Sequence, residues 1–559
     1  MTNLFKNVLP LLLLLVSVWS ANAQTRNDGL TALQLDQWDK AIKIFEGITK
    51  ADPNDVDAWL SLNNAYLAKG DKIKALEALK SAIESKGDAA MIQVATGRLK
   101  MLEGDMTEGE NQFRRAGRTA KKNVDPWRQI GEFFLFFKPQ QGGKPDLARA
   151  EAELKKAYEL NPKDFNTLMA LGYCYLEMNE GGKAVQYYEY ASNRDPKAPL
   201  PLYLMSRAYK AAKINFRFEE YIKKALEAQP DFTPALRAIA DYYFYDERDL
   251  QKATEAYQAL VSKGAEVQIE DEMQLANCLY LTKDYQGCID LVNKIIAKDP
   301  AKIYYRRMLG YCYYETEQYE KSAKTMEEYF AATDKEKIVA RDYVYQGRLR
   351  LRVQKDTLGA IQSLEQAIKM DGANWKLYAE IADLYYERKD VCNSAKFFQI
   401  YADSAMADES LKATDLYKLG TYYYYCRDDE QRYEKAAKAF GLLTERAPNA
   451  MIGWEWLFKS LAKTEVNLEA EPERIWEYGK AKDSAAKVIE IGSTDVAKYK
   501  SQLDDAYGYM LYYHFSRGEK AEFGALLTAY EAISPDNSSI ADYKEFISKN
   551  GFPAVPDKN

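Results

Sequence analysis

Few side chains in this chain are equipped for catalysis. One histidine, His514, stands among 559 residues. A lone imidazole removes most zinc sites, the Ser-His-Asp arrangement and histidine general-base chemistry. It lies in a helical pattern over Tyr507–Arg517 and reads as a packing or surface residue. No G-x-G-x-x-G, no phosphate loop ending in Gly-Lys-Ser/Thr and no G-x-S-x-G occurs. A two-carboxylate hydrolase needs only a pair of acids, and Asp and Glu together number 84. On helices such acids are usually solvated faces or ion pairs, and none here has an evident catalytic partner. The expectation is a protein that is not an enzyme and holds no metal or cofactor.

Binding chemistry is better represented. Arg341, Arg348, Arg350, Arg352 and Lys355 crowd one stretch. Arg348 and Arg352 are four apart and share a helix face. With Arg307 they form a candidate anion-docking patch; the competing reading is solvated charge or pairing with nearby Glu. The 43 tyrosines offer ring surface and hydroxyls, although a helical repeat consumes many of them.

The elements that position these residues follow from a self-comparison. Pro162, Pro196 and Pro230 recur every 34 residues. Between them apolar residues recur at three and four, the helical period, giving two helices and a short turn per interval. Phe165 to Lys197 reads FNTLMALGYCYLEMNEGGKAVQYYEYASNRDPK. Leu168, Leu171, Gly172 and Tyr175 supply large, large, small and aromatic in the first helix. Ala184, Tyr188 and Ala191 supply small, large, small in the second, and Pro196 closes the unit. This segment resembles the tetratricopeptide repeat (TPR), and about thirteen such units are discernible, with a partial first one at Trp38, Ala41, Phe45 and Pro53. The resemblance implies an all-α fold, an α-α superhelix or TPR solenoid of antiparallel helix hairpins, acting as a protein-binding scaffold.

In that family the first helices line a concave groove where peptides or partner helices lie. Carried over by register, the partner-facing candidates are Tyr173, Arg207, Asn277, Arg307, Tyr311, Tyr314, Arg348, Arg352, Tyr386 and Tyr424, with Asn64 among further inward positions. Arg, Asn and Tyr suit an extended backbone and its carboxylates. The partner expected is a protein or peptide. Glycan capture is the alternative, with Trp127, Trp375, Trp454 and Trp456 stacking on sugar rings.

The cysteines follow the repeat. Cys174, Cys278 and Cys312 sit at one register of the first helix, and Cys288 replaces a small second-helix residue, all as buried apolar groups. Cys392 opens a second helix and Cys426 ends the following first helix. Antiparallel stacking puts those ends on one edge, which makes them the candidate disulfide.

The organisation expected along the chain starts with a signal peptide at 1–23, then N-terminal units at 24–123. A unit with an inserted loop at Lys138 to Pro145 covers 124–164 and a central array 165–402. Units with excursions fill 403–492, a last unit with a capping helix 493–550, and a tail 551–559. Lys6, the apolar Val8 to Val18 and Ala21-Asn22-Ala23 before Gln24 carry the leader pattern. Its apolar core is short for a bilayer span, and no cysteine follows the cleavage point. A periplasmic location is expected, with outer-membrane association or secretion as alternatives. Net charge is −7, and no basic field calls for nucleic acid.

Overall fold

The computed structural model describes residues 25–138, 143–553 and 555. The leader at 1–23, residues 139–142 of the inserted loop and most of the 551–559 tail lie outside the described residues. Among the described residues the secondary structure is helical throughout, as consecutive antiparallel hairpins with no strand.

The hairpin at 165–194 shows how the sequence builds one unit. Asp164 caps helix Phe165–Glu177 by accepting from the Thr167 N–H at 2.8 Å. The chain then turns through Asn179 at φ 60° and enters helix Gly181–Arg194. Ala184 and Ala191 are fully buried and let the helices close. At Gly172 the backbone takes the Tyr188 ring directly; any side chain there would occupy the ring's place. In the later hairpin a Cβ on Gly420 would lie 2.6 Å from the Phe440 ring. Small residues in the first helix thus seat large ones from the second.

The turn repeats with the unit. Asp36, Gly70, Gly104, Asn179, Lys213, Lys283, Glu317 and Lys389 all have positive φ between the two helices of their hairpins. Most are not glycine, a backbone cost of roughly 1–2 kcal/mol each that packing of the hairpin outweighs. Asp71, Asp105, Asp249, Asp356 and Asp390 follow such turns and cap the second helix with their carboxylates. Two first helices, Thr233–Asp241 and Ala340–Leu349, run on into π-helical turns at Tyr242–Asp246 and Arg350–Gln354. The wider turn absorbs an extra residue before the second helix begins.

The packing divides the chain into two compact units, one ending at Leu291 and the other starting at Val292. This boundary falls inside helix Tyr285–Lys298.

In the first unit the opening hairpin is complete. Helix Arg26–Gln34, begun by a Thr25–Asp28 capping box, supplies the first helix that the sequence pattern left out. Trp38 packs edge-on against Phe136, which meets Tyr173, so the opening hairpin rests on first helices far along the chain. Lys40 also pairs with Glu266 at 2.5 Å. A cavity of about 990 Å³ lies between that hairpin and the starts of helices Phe165–Glu177, Pro199–Ala211 and Thr233–Asp241.

The second unit carries its own apolar clusters, one centred on Phe398, Tyr422 and Phe440 and another on Tyr507, Leu511 and Phe523. The excursion after helix Met451–Ala462 is tied down by Glu465, which accepts from the N–H groups of Gly479 and Ala481 and from the Tyr509 hydroxyl. Helix Ser538–Asn550 covers the end, with Ile540 buried and Tyr543 and Ile547 against the terminal cluster.

Candidate partner-binding surface

In the second unit, ion pairs join several first helices to the next. Arg307 of helix Ile303–Glu315 lies 3.7 Å from Asp342 of helix Ala340–Leu349. Arg348 holds Glu380 of helix Leu377–Glu387 through two contacts of 3.2 and 3.0 Å. Asp383 accepts from Lys418 and from the Tyr422 hydroxyl, both in helix Ala413–Tyr425. The first unit repeats the device with Arg237 and Asp271, 2.7 Å apart.

These pairs decide what the predicted residues do. The arginine patch is not a free cationic field. Arg307 and Arg348 bind acids of neighbouring repeats, and Arg350 donates to the Gly359 carbonyl at 3.0 Å. Sequence counting could not foresee this, because the acids lie one repeat further on. Arg352 is exposed, packed over the Tyr319 ring at 4.8 Å and donating to its hydroxyl. Tyr311 is buried: it stacks on Tyr345 at 4.2 Å, and its hydroxyl donates to the buried Asp342. Tyr314 is half-buried, edge-on to Tyr345 and Tyr319.

Tyr173 is also buried, against the expectation that it faces a partner. Its hydroxyl lies 3.5 Å from the Asp36 carboxylate, and Arg207 stands exposed nearby. Burial raises the Asp36 carboxyl above its usual range, with Arg207 opposing. Burial, then the charge of Asp36, raises Glu177 in the same way. Asn277 is half-buried and donates to Gln274 at 3.2 Å. Asn64 is consumed outright. Arg98, fully buried, donates to the Leu60 carbonyl and to the Asn63, Asn64 and Gln129 side chains. Arg128 fills the next position, held by Asp57, Asp125 and Glu132 at 2.8–3.0 Å. The inward positions of the early repeats are therefore core, not surface.

The four tryptophans proposed for sugar stacking are half-buried and engaged. Trp454 donates to the Pro448 carbonyl at 2.7 Å. Lys156 lies over Trp127, Trp375 meets Tyr401, and Trp456 packs on Phe440 and Tyr424. Tyr424 is thus part of an aromatic cluster, whereas Tyr386 is exposed beside Tyr422.

Cys392 and Cys426 form a disulfide with Cα atoms 4.7 Å apart. Cys174, Cys278, Cys288 and Cys312 are buried. Burial pushes the Cys174 thiol up to about 12 and Cys278 to about 11. His514 is half-buried with Nδ1 2.6 Å from Glu519. Sequence reasoning missed Tyr425, Lys389 and Arg427, which gather with Tyr386 around the disulfide. The signal was the cysteine pair itself, which brings 386–392 and 425–428 together.

Residues 32–99 match the family model described as tetratricopeptide repeat. BBSome complex member BBS4 of Bos taurus is 26% identical over 189 residues, 34% of this chain and 34% of the relative. TPR repeat-containing protein MJ1428 of Methanocaldococcus jannaschii is 21% identical over 68% of this chain and 56% of its own length. TPR repeat-containing protein YpiA of Bacillus subtilis is 22% identical over 62% of this chain and 79% of its own length. The matches thus span about a third of the bovine relative and about half of the archaeal one. Among solved structures, the C-terminal part of a TPR repeat-containing protein from Cytophaga hutchinsonii is 26% identical, covering 48% of this chain and 97% of that one, with a TM-score of 0.31. Among the described residues no helix is long and apolar enough to cross a membrane. The chain is thus a succession of antiparallel helix hairpins, of which residues 32–99 match the tetratricopeptide-repeat model.

Proposed function

We propose that the protein is a non-enzymatic scaffold that binds a protein or peptide along the face formed by its first helices. One observation carries this reading. Within the second unit successive first helices are cross-bridged by ion pairs, as in Arg348–Glu380, while Arg352 remains exposed and Tyr314 half-buried beside them. A surface braced in this way loses little conformational entropy when a partner docks, and Arg and Tyr are side chains enriched in binding hot spots. The buried arginines of the early repeats are spoken for, so docking belongs to the later first helices.

Photo-crosslinking in the native cell from position 314, beside Arg352 in the second unit, tests this. A discrete protein captured there, and lost on Arg352→Glu, is the expected result. Crosslinks to no protein would refute it.

The scaffold is proposed to act in the periplasm after export, or at the outer membrane or outside the cell. The leader pattern of 1–23 and the Cys392–Cys426 disulfide, a bond suited to oxidising compartments, support that placement. N-terminal sequencing of the cell-derived protein should begin at Gln24; a start at Met1 in a cytosolic fraction would remove it.

A further inference from the structure

Tyr386, Lys389 and Asp390 end one first helix and open the next second helix, while Tyr425 ends the next first helix and Arg427 and Asp428 follow it. The Cys392–Cys426 bond ties these two strips together beside an open pocket of about 660 Å³ that all six line. Tyr386 and Tyr425 are 49% and 52% exposed, far from the burial that the repeat gives most of its aromatics. Each ring is backed by another, Tyr386 by Tyr422 at 5.0 Å and Tyr425 by Tyr424 at 5.2 Å. Among the described residues neither hydroxyl takes part in the hydrogen bonds around it, and the charged ends of Lys389, Arg427 and Asp428 form no ion pair, although pairs abound elsewhere. Asp390 alone is occupied, capping Asn393.

We infer that this pocket is a carbohydrate-binding site, apart from the first-helix docking surface proposed above. A pyranose ring has an apolar C–H face and a rim of hydroxyls. Two outward rings held at fixed spacing suit the face. Uncommitted cations and a carboxylate suit the rim, where hydrogen bonds to charged groups are the stronger ones. Val391 is the only aliphatic side chain in the lining, so an apolar peptide anchor finds little to bury against. The disulfide is a positioning element: it sets the distance between the tyrosines before any ligand arrives, which removes an ordering cost from binding.

The test is native gel electrophoresis of the full chain through gels containing xylan, laminarin or soluble starch, with bovine albumin as the mobility standard. Retardation by at least one polysaccharide is expected. Tyr386→Ala or Tyr425→Ala should weaken it about tenfold, and Tyr386→Phe should keep most of it. Both rings are exposed, so thermal unfolding of the alanine variants should match the parent and separate lost binding from lost fold. The Cys392→Ser/Cys426→Ser double variant should bind a few-fold more weakly. No retardation by any of the three polymers, or retardation untouched by the alanine variants, overturns the proposal. So does binding of a proline-rich peptide that the tyrosine variants abolish in the absence of any retardation.

Discussion

The early repeats of the first unit and the middle repeats of the second place arginines at the same side of the first helix and use them differently. Around Arg98 and Arg128 the helices Val56–Lys69, Ala89–Glu103 and Asp125–Phe136 close on one another, and both guanidinium groups are buried. Around Arg348 and Glu380 the corresponding pair keeps roughly a third of its side-chain surface in water. The lesson is that burial, not residue type, sets what a charge is worth. A desolvated guanidinium needs partners at its terminal nitrogens, which Arg98 and Arg128 have although the Nε of each finds none among the described residues, whereas a half-wet pair braces two repeats at small cost and small gain.

This contrast can be broken. The largest effect is expected at Arg98→Ala. It strips partners from Asn63, Asn64 and Gln129 inside a dry interior and should cost about 3–5 kcal/mol, read from urea unfolding followed by circular dichroism. A loss under 1 kcal/mol would mean that water reaches the site. Next, the Cys392→Ser/Cys426→Ser double variant should lose about 4 kcal/mol, because the bond closes a loop of 34 residues in the unfolded chain. The loss should appear in the second unit's transition alone. Arg348→Ala and Glu380→Ala, analysed as a double-mutant cycle, should show a coupling of only about 0.5 kcal/mol, declining in 0.5 M salt. A coupling near 3 kcal/mol would erase the distinction between the two regions.

Acid sharpens the same comparison. Burial works against the Asp57 carboxylate, but Arg128 and Arg26 overcome it and hold its pKa below the ordinary 3.8. Asp57 therefore adds stability that is whole above that value and disappears as pH falls through the folded pKa. Asp36 and Glu177 are raised instead, chiefly by burial. Their charged forms are penalised at neutral pH, and stability grows as pH falls through their folded values toward 3.8 and 4.5. Asp36→Asn should flatten the gain seen in thermal unfolding as pH falls from neutrality toward 3.8, and Asp57→Asn should instead flatten the loss that sets in below 3.8.

Much of the architecture was legible because packing within a hairpin is local. Leu171, Gly172, Tyr188 and Ala191 meet partners inside the same 34-residue period, so spacing alone reveals them. The helix Arg26–Gln34 escaped notice because its apolar face is short, with Gly29 rather than a large side chain set against Phe45 of the next helix. Candidate surface residues were less legible for the same reason. Whether Arg348 is free depends on Glu380, and whether Tyr173 is exposed depends on Asp36 and Phe136, more than a hundred positions earlier or in another repeat. The edge pocket needed a covalent link to be seen at all, since Tyr386 and Tyr425 belong to different units of the pattern.

The contact of Trp38 with Phe136, and of Lys40 with Glu266, has an implication for how this chain can change. An open-ended stack tolerates the gain or loss of a module, since neighbours simply close up. Here the opening hairpin meets partners whose positions are set by the number of modules between them. Deleting or duplicating one within 54–264 would carry those partners out of reach. The first unit therefore has a fixed module count, and length variation in the protein must be sought elsewhere.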